Sequence, residues 1–419
     1  MHNWTGIVLS IILLIAFPGC ADRATHTRAA MSPETSLESG RRLARQFLIA
    51  DTHVDIPNRL DQRMEDISVR TRGGDFDYPR AREGGLDAPF MSIYVSASHQ
   101  ESGGAKEYAD KLIDMVEGFQ EKWPDKFVVA RSVAEVRSAF QDSIVAMPMG
   151  MENGAPIEGS LDNLEHFYER GIRYITLTHS RSNHISDSSY DSNRRWQGLS
   201  PFGRKVVEEM NRLGIMIDIS HLSDDAFHQV VALTKAPVIA SHSSCRHFTP
   251  GWERNMSDNM IQKLARNGGV IQIAFGSSFI SNDYRLGHAQ RNQAIDEQLR
   301  QKGLTRAHPR AQEQIRQFEQ ENPLQRATVS QVVDHIDHVK NLVGIDHVGF
   351  GSDFDGVGDT TPTGLRNVSF YPNLIAQLLD RGYNEEEIEK ICSENLLRVW
   401  SEVERVAAEL QTEDSADQE

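Results

Sequence analysis

Cysteine is nearly absent: Cys20, Cys245 and Cys392 are the three in 419 residues. That is too few for a disulfide-built scaffold, so the fold has to rest on an apolar core, with Cys245 and Cys392 reading as lone buried thiols. Basic residues are in deficit. Lys and Arg number 44 against 60 Asp and Glu, a formal charge of -16, and no stretch gathers enough of them to meet a phosphate backbone, which excludes nucleic acid as a partner. No apolar run reaches the ~20 residues that cross a bilayer, no short-period repeat recurs, and no low-complexity block divides the chain. What remains, 39% hydrophobic and 25% charged residues, is the composition of a globular protein.

The first twenty residues stand apart. An apolar run from Gly6 to Phe17 is followed by Pro18, Gly19 and Cys20, a length that predicts an export signal rather than a membrane span. Gly19-Cys20 matches the end of a bacterial lipobox, which would make Cys20 a lipid anchor, whereas Phe17, Pro18 and the missing basic residue near the start depart from that pattern. Two expectations follow: a cleaved signal with a periplasmic product, or a membrane-anchored lipoprotein, in either case exported by a bacterium. Residues 21–39 read as a flexible linker, 40–410 as one folded domain and 411–419 as an acidic tail.

Within that domain, short runs rich in Ile and Val alternate with helical periodicity, which implies βα units and a parallel sheet. Strands are predicted at Phe47–Ala50, Phe90–Val95, Ile144–Met149, Tyr174–Leu177, Ile215–Ile219, Val238–Ala240, Val270–Phe275 and Val348–Gly351. Helices are predicted at Ala105–Trp123, Leu161–Arg170, Pro201–Leu213, Ser223–Leu233, Ser257–Arg266 and Thr328–Leu342, with a helical insertion over Tyr284–Glu321 and three C-terminal helices after Tyr371. Eight such strands predict an α/β fold, a (β/α)8 TIM barrel of the metal-dependent hydrolase type, whose chemistry belongs at the carboxyl ends of the strands.

Those ends carry the polar residues. Asp51-Thr52-His53-Val54-Asp55 closes the first strand; alternation in extended chain puts His53 and Asp55 on one side, a half-site for a divalent cation such as zinc. Glu152, His179, His221, His242 and Asp353 each follow a later apolar run directly. A buried structural histidine explains any one of these, but not a ring of them at one barrel mouth, where unpaired polar groups are costly. The residue types suggest two zinc ions, one on His53 and Asp55, the other on His221 and His242, with Glu152 bridging and a shared hydroxide as nucleophile. Asp353 is then the proton carrier and His179 the donor to the oxyanion. Asp355 shares the strand parity of Asp353, which is preferred as nearer the barrel end. His335 and His338, three apart on a predicted helix, read as a solvated helix face.

At this point the chain resembles the membrane dipeptidase (renal dipeptidase) family, in its bacterial branch, over about residues 40–405. The strings DTHVD, GMENG, RYITLTHSRSNH, IDISHLSDDAF, APVIASHSS and GFGSDFDGV carry the resemblance, together with Arg254-Asn255. It implies a zinc dipeptidase with the ligands and catalytic residues just named, Arg254 as the holder of the substrate's C-terminal carboxylate, and tolerance of a C-terminal D-residue. The stretch Gly276–Asn282 departs from the mammalian pattern, and the loop Ser180–Leu199 looks bacterial and suits a lid. Small dipeptides are the expected partners, and a homodimer is left open. Two alternatives stand beside this reading: a single-metal amidohydrolase or deaminase-type barrel, and an exported metal- or dipeptide-binding protein without catalysis.

Overall fold

Eight parallel strands, hydrogen-bonded in chain order, ring the centre of the molecule. The computed structural model describes residues 35–416; the expected export signal, Cys20 and residues 21–34 of the expected linker lie outside the described residues. The strands are β1 (Ile49–Val54), β2 (Leu86–Tyr94), β3 (Met149–Glu152), β4 (Ile172–Thr176), β5 (Met216–Asp218), β6 (Ile239–Ser243), β7 (Val270–Ile273) and β8 (Val348–Phe350). β8 returns to β1 through a bridge between Val54 and Phe354, where Asp353 N donates to His53 O (3.0 Å) and Asp55 N to Phe354 O (2.9 Å). Beneath that seam the buried Asp51 carboxylate accepts from the amides of Ser352 (2.8 Å) and His53 (3.1 Å) and from the Ser352 and Tyr371 hydroxyls. The architecture is therefore the barrel that the alternation predicts.

One strand lies elsewhere. Of the predicted Ile144–Met149, Val145–Ala146 pairs instead with Phe127–Val128 in a separate two-stranded sheet, and the barrel strand starts at Met149. Pro148 explains the break, because it has no amide hydrogen to continue a ladder; its carbonyl accepts from Met91 N (2.8 Å).

Four of the helices outside the barrel start on hydroxyl caps at predicted boundaries. Ser200, Ser223, Ser257 and Thr328 each accept from a backbone amide of the first turn, satisfying donors that a helix leaves free. Residues predicted as the first of three of these helices, Ser223, Ser257 and Thr328, are in fact their caps. The insertion forms two helices, Asn282–Gln301 and Pro309–Glu321, packed through Ile295, Leu299 and Ala311. Helix Ser36–Gln46 begins inside the expected linker on a capping box of Thr35 and Glu38, and the last helix runs on to Ala416 through part of the expected tail. His335 is not on a solvated face: it is fully buried, its Nδ1 accepting from Cys245 N (3.0 Å) and its Nε2 facing Ile280 O (3.1 Å). His338 pairs with Asp258 (2.8 Å).

The end of the barrel remote from the polar motifs is filled by the last helix, Asn395–Ala416. Its Trp400 and Val403 join Ala50, Ala88, Phe90, Tyr174, Met216 and Ile239 in one apolar cluster. Trp400 lies 5.5 Å from Phe90, and Phe90 5.6 Å from Tyr174, centroid to centroid. The Tyr174 hydroxyl then meets His53 Nδ1 at 2.7 Å, so a column of rings runs from the plugged end to the polar one.

Candidate metal centre

Four imidazoles converge on the two oxygens of a single carboxylate. His221 Nε2 and His242 Nε2 each lie 3.2 Å from Glu152 Oε1, and His179 Nε2 lies 3.3 Å from the same oxygen. On the other oxygen, His53 Nε2 stands 3.4 Å from Glu152 Oε2 and 3.5 Å from Asp55 Oδ2. Asp353 joins His53 and Asp55 in a further group of potential ligands. All seven residues expected at the barrel mouth thus meet, the sequence-distant Glu152 at their centre. Asp355 does not join them: its carboxylate is bound by Arg59 Nε (2.9 Å) and Asp75 N (2.6 Å).

This donor set can hold cations. His53 Nε2 is buried with no hydrogen-bond partner, and the Nε2 atoms of His221 and His242 face each other at 2.9 Å. Both nitrogens also face Glu152 Oε1, and Arg254 Nη2 lies 3.1 Å from His221 Nε2, so the gap collects donor nitrogens of the kind that bind divalent cations. Burial and the nearby Arg254 charge hold His221 well below the usual histidine range, and burial together with His53 and Arg254 does the same for His242, so both rings favour the neutral form that ligates metals. Burial opposes ionisation of Glu152, but His53 and His179 overcome it and hold the carboxyl well below its ordinary value. Asp353 is pushed well above its ordinary value by burial and by the neighbouring Asp55 carboxylate.

Backbone and second-layer contacts aim the rings. His221 (φ 67°) and Asp353 (φ 62°) both sit in the left-handed region, a conformation that costs non-glycine residues about 1–3 kcal/mol and concentrates at functional sites. His242 Nδ1 meets Ser241 Oγ at 2.8 Å, and that hydroxyl reaches Asp218 Oδ2 at 2.7 Å; with Tyr174 on His53, two rings are held by the nitrogen opposite the one facing Glu152. Arg254 is 3% exposed. Its guanidinium donates to Ser243 Oγ and His242 O, both at 2.7 Å, faces His221 Nε2 at 3.1 Å and lies 5.0 Å over the Phe279 ring, yet its Nε has no partner and it forms no ion pair among the described residues. A cavity of about 500 Å3 opens above the group, lined by Asp55, Asn58, Tyr94, His179, Tyr190 and Asp353 among others.

A sequence model of membrane dipeptidases, peptidase family M19, matches residues 37–414. The chain belongs to the membrane dipeptidase family. Among curated relatives of this membrane dipeptidase, an uncharacterised dipeptidase of Schizosaccharomyces pombe is 32% identical over 374 residues, 85% of this chain and 81% of the relative. The dipeptidase aclJ of Aspergillus oryzae is 34% identical over 344 residues, 80% of this chain and 72% of the relative. Among solved structures, the probable dipeptidase PvdM of Pseudomonas aeruginosa superposes with a TM-score of 0.77 at 26% identity, covering 90% of this chain and all (100%) of that one. A Rhodobacter sphaeroides metallopeptidase, solved with a phosphinate mimic of L-Ala-D-Ala, gives 0.70 at 27% identity over 85% of this chain and 99% of that one. The protein is a metallodipeptidase, a hydrolase built on the TIM-barrel fold.

Sequence reasoning missed the residues of this dipeptidase that hold other residues in place: Tyr174, Ser241 and Asp218. Asp218 carried a signal, an acid inside the apolar run Ile215–Ile219, where an unpaired carboxylate would be too costly to keep. Tyr174 carried none, because an aromatic ring on a strand reads as core.

Proposed function

We propose that this chain hydrolyses dipeptides with two zinc ions, His53 and Asp55 holding one, His221 and His242 the other, and Glu152 spanning both. The observation that carries the reading is the split of Glu152: Oε1 meets two imidazole nitrogens at 3.2 Å each, while Oε2 faces the nitrogen of His53 at 3.4 Å. A bound zinc pair would lower the pKa of water towards neutrality and polarise the scissile carbonyl. A single-metal barrel leaves that two-sided carboxylate unexplained.

The chain's own residues then divide the work. Arg254, buried and without an anion, receives the C-terminal carboxylate, because a buried cation with no counter-charge is costly until one arrives. That contact fixes the scissile bond one residue away, which favours dipeptides over longer peptides. His179, 18% exposed along its side chain, donates a hydrogen bond to the carbonyl oxygen as negative charge develops there. Asp353 takes the proton from the attacking water and passes it to the leaving amine. We extend the reading to C-terminal D-residues on the likeness to the Rhodobacter sphaeroides peptidase, which was solved with an L-Ala-D-Ala mimic.

The same proposal makes this a bacterial, exported enzyme, with residues 1–20 as signal and Cys20 as the lipid anchor in the lipoprotein version. It rests on the lipobox-like Gly19-Cys20 and the loop Ser180–Leu199.

The test is an assay of the zinc-loaded protein on dipeptides with L- and D-residues at the C-terminus, with tripeptides as controls, beside the zinc-to-protein ratio. Dipeptide turnover, little on tripeptides and a ratio near two are expected, and Asp353→Asn should lower kcat by about 10²- to 10⁴-fold with zinc content unchanged. A ratio of one, or an Asp353→Asn enzyme at the parent rate, overturns the mechanism.

A further inference from the structure

Beyond the catalytic cavity lies a second one, of about 420 Å3, and Tyr190, Phe279 and Val357 line both. The shared wall is also the wall of Arg254, whose guanidinium sits over Phe279. A dipeptide held by Arg254, as proposed above, would carry its last Cα near Phe279, the ring that both cavities share.

The chemistry of that cavity is graded. Near the wall it is aromatic, Trp252 and Phe279 lying 5.3 Å apart between ring centroids. Its far side is supplied by the inserted helix Asn282–Gln301, which contributes Arg285, His288 and Asn292. Arg285 lies over the Trp252 ring at 5.6 Å. It is held from one side only, Nε and Nη2 donating to Asn282 Oδ1 at 3.2 and 2.7 Å, and it forms no ion pair among the described residues. Other half-buried arginines differ: Arg246 pairs with Asp224 (2.6 Å) and Arg326 with Asp359. An unpaired guanidinium at the end of an aromatic channel is a receptor for a carboxylate carried on a short apolar stem.

We propose that this second cavity is the specificity site for the C-terminal side chain and that Arg285 selects an acidic one, so that dipeptides ending in glutamate are preferred substrates. Two methylenes lie along Trp252 and Phe279, and the γ-carboxylate meets the free edge of the guanidinium. The inference rests on the reading of Arg254 given above and adds a second, independent cation to it.

The experiment compares kcat/KM for Ala-Glu, Ala-Gln and Ala-Lys in the wild-type enzyme and in Arg285→Met, Arg285→Lys and Arg285→Glu, with Ala-Ala run on the wild type. The wild type should favour Ala-Glu over Ala-Gln by about tenfold or more, the value of one charge-assisted contact. Arg285→Met should bring that ratio near one, Arg285→Lys should restore part of it, and Arg285→Glu should turn the preference towards Ala-Lys. Because each ratio is taken within one variant, a loss of folded protein cancels. A wild-type ratio near one, or a ratio that survives Arg285→Met, overturns the proposal while Ala-Ala turnover leaves the dipeptidase reading standing. Failure on Ala-Ala as well overturns both.

Discussion

A methyl group at position 356 would meet Asp55 Oδ2 at 2.2 Å and Asp353 Oδ1 at 2.3 Å. Gly356 is thus the gap through which two carboxylates approach the same histidine, and its lack of a Cβ sets their separation. Gly356→Ala should push one of them off its position, and displacements of about 1 Å at a reacting centre cost on the order of a hundredfold. The expected result is a loss of kcat of that order with thermal stability nearly unchanged, read by steady-state kinetics beside a melting curve. A variant with the parent kcat would show that the two carboxylates need no such spacing. At this scale the sequence was legible wherever residue type and strand position sufficed. His53, Glu152, His221 and His242 follow apolar runs, and no contact information was needed to suspect them. Asp353 and Asp355 share type and parity; only Arg59 and the Asp75 amide, drawn in from residues some 280 to 296 positions away, separate the buried ion-pair partner from the residue facing His53. His335 misled for the reverse reason, since the amide and carbonyl that make its burial tolerable lie 90 and 55 residues distant.

The element that shapes access is the loop after β4. It carries Tyr190, 45% exposed, with its ring 5.6 Å from that of His221. Its form is imposed by the fully buried Asp187, whose carboxylate accepts from the amides of Arg195 (2.9 Å), Trp196 (3.0 Å) and Gly198 (3.1 Å), a cage that satisfies three backbone donors with one side chain. Arg194 adds a tether to Glu253, whose other oxygen accepts from Asp224 N (2.8 Å). Asp187→Ala would remove the acceptor of all three amides, at about 1–3 kcal/mol for the buried one at Gly198 and less for the two nearer solvent. The loop should then open: limited proteolysis is expected to cut within residues 180–199, and KM to rise about tenfold while kcat falls less. Resistance to cleavage together with an unchanged KM would assign the cage no part in holding the loop. Elements were read from the sequence best where a cap or a proline marks them, as at Ser200-Pro201. The third strand was misplaced because the apolar run Ile144–Met149 is shared between two sheets, and periodicity does not tell which partner a strand will take.

For the molecule as a whole, stability should depend on pH through a residue remote from the chemistry. His335 joins the loop after β6 to the short helix Ser277–Ile280 from within helix Val329–Val343. Burial pushes its pKa down to about 3, below the value of about 6.5 expected in the unfolded chain. The unfolded state therefore takes up a proton that the folded state refuses, so the contribution is full above pH 6.5 and is lost as pH falls towards 3, at up to about 1.4 kcal/mol per unit. Urea unfolding of the metal-free protein at pH 6.5 and 4.5 should show His335→Gln losing about 2 kcal/mol less than the parent between the two values. Equal losses would mean that this histidine titrates normally in the fold. The barrel itself was plain in the sequence, because eight βα alternations leave little other choice of architecture. The filling of its closed end was not, since nothing in the string around Trp400 tells that it comes to rest against Phe90.

That packing has a bearing on when the centre can exist. The ring of His53 is propped through Tyr174 and Phe90 on Trp400, so a residue made at the beginning of synthesis waits for one made near its end. A chain lacking its final helix would carry every proposed metal ligand without the support that aims the first of them. A chain truncated near residue 395 should then be recognised by its failure to retain metal.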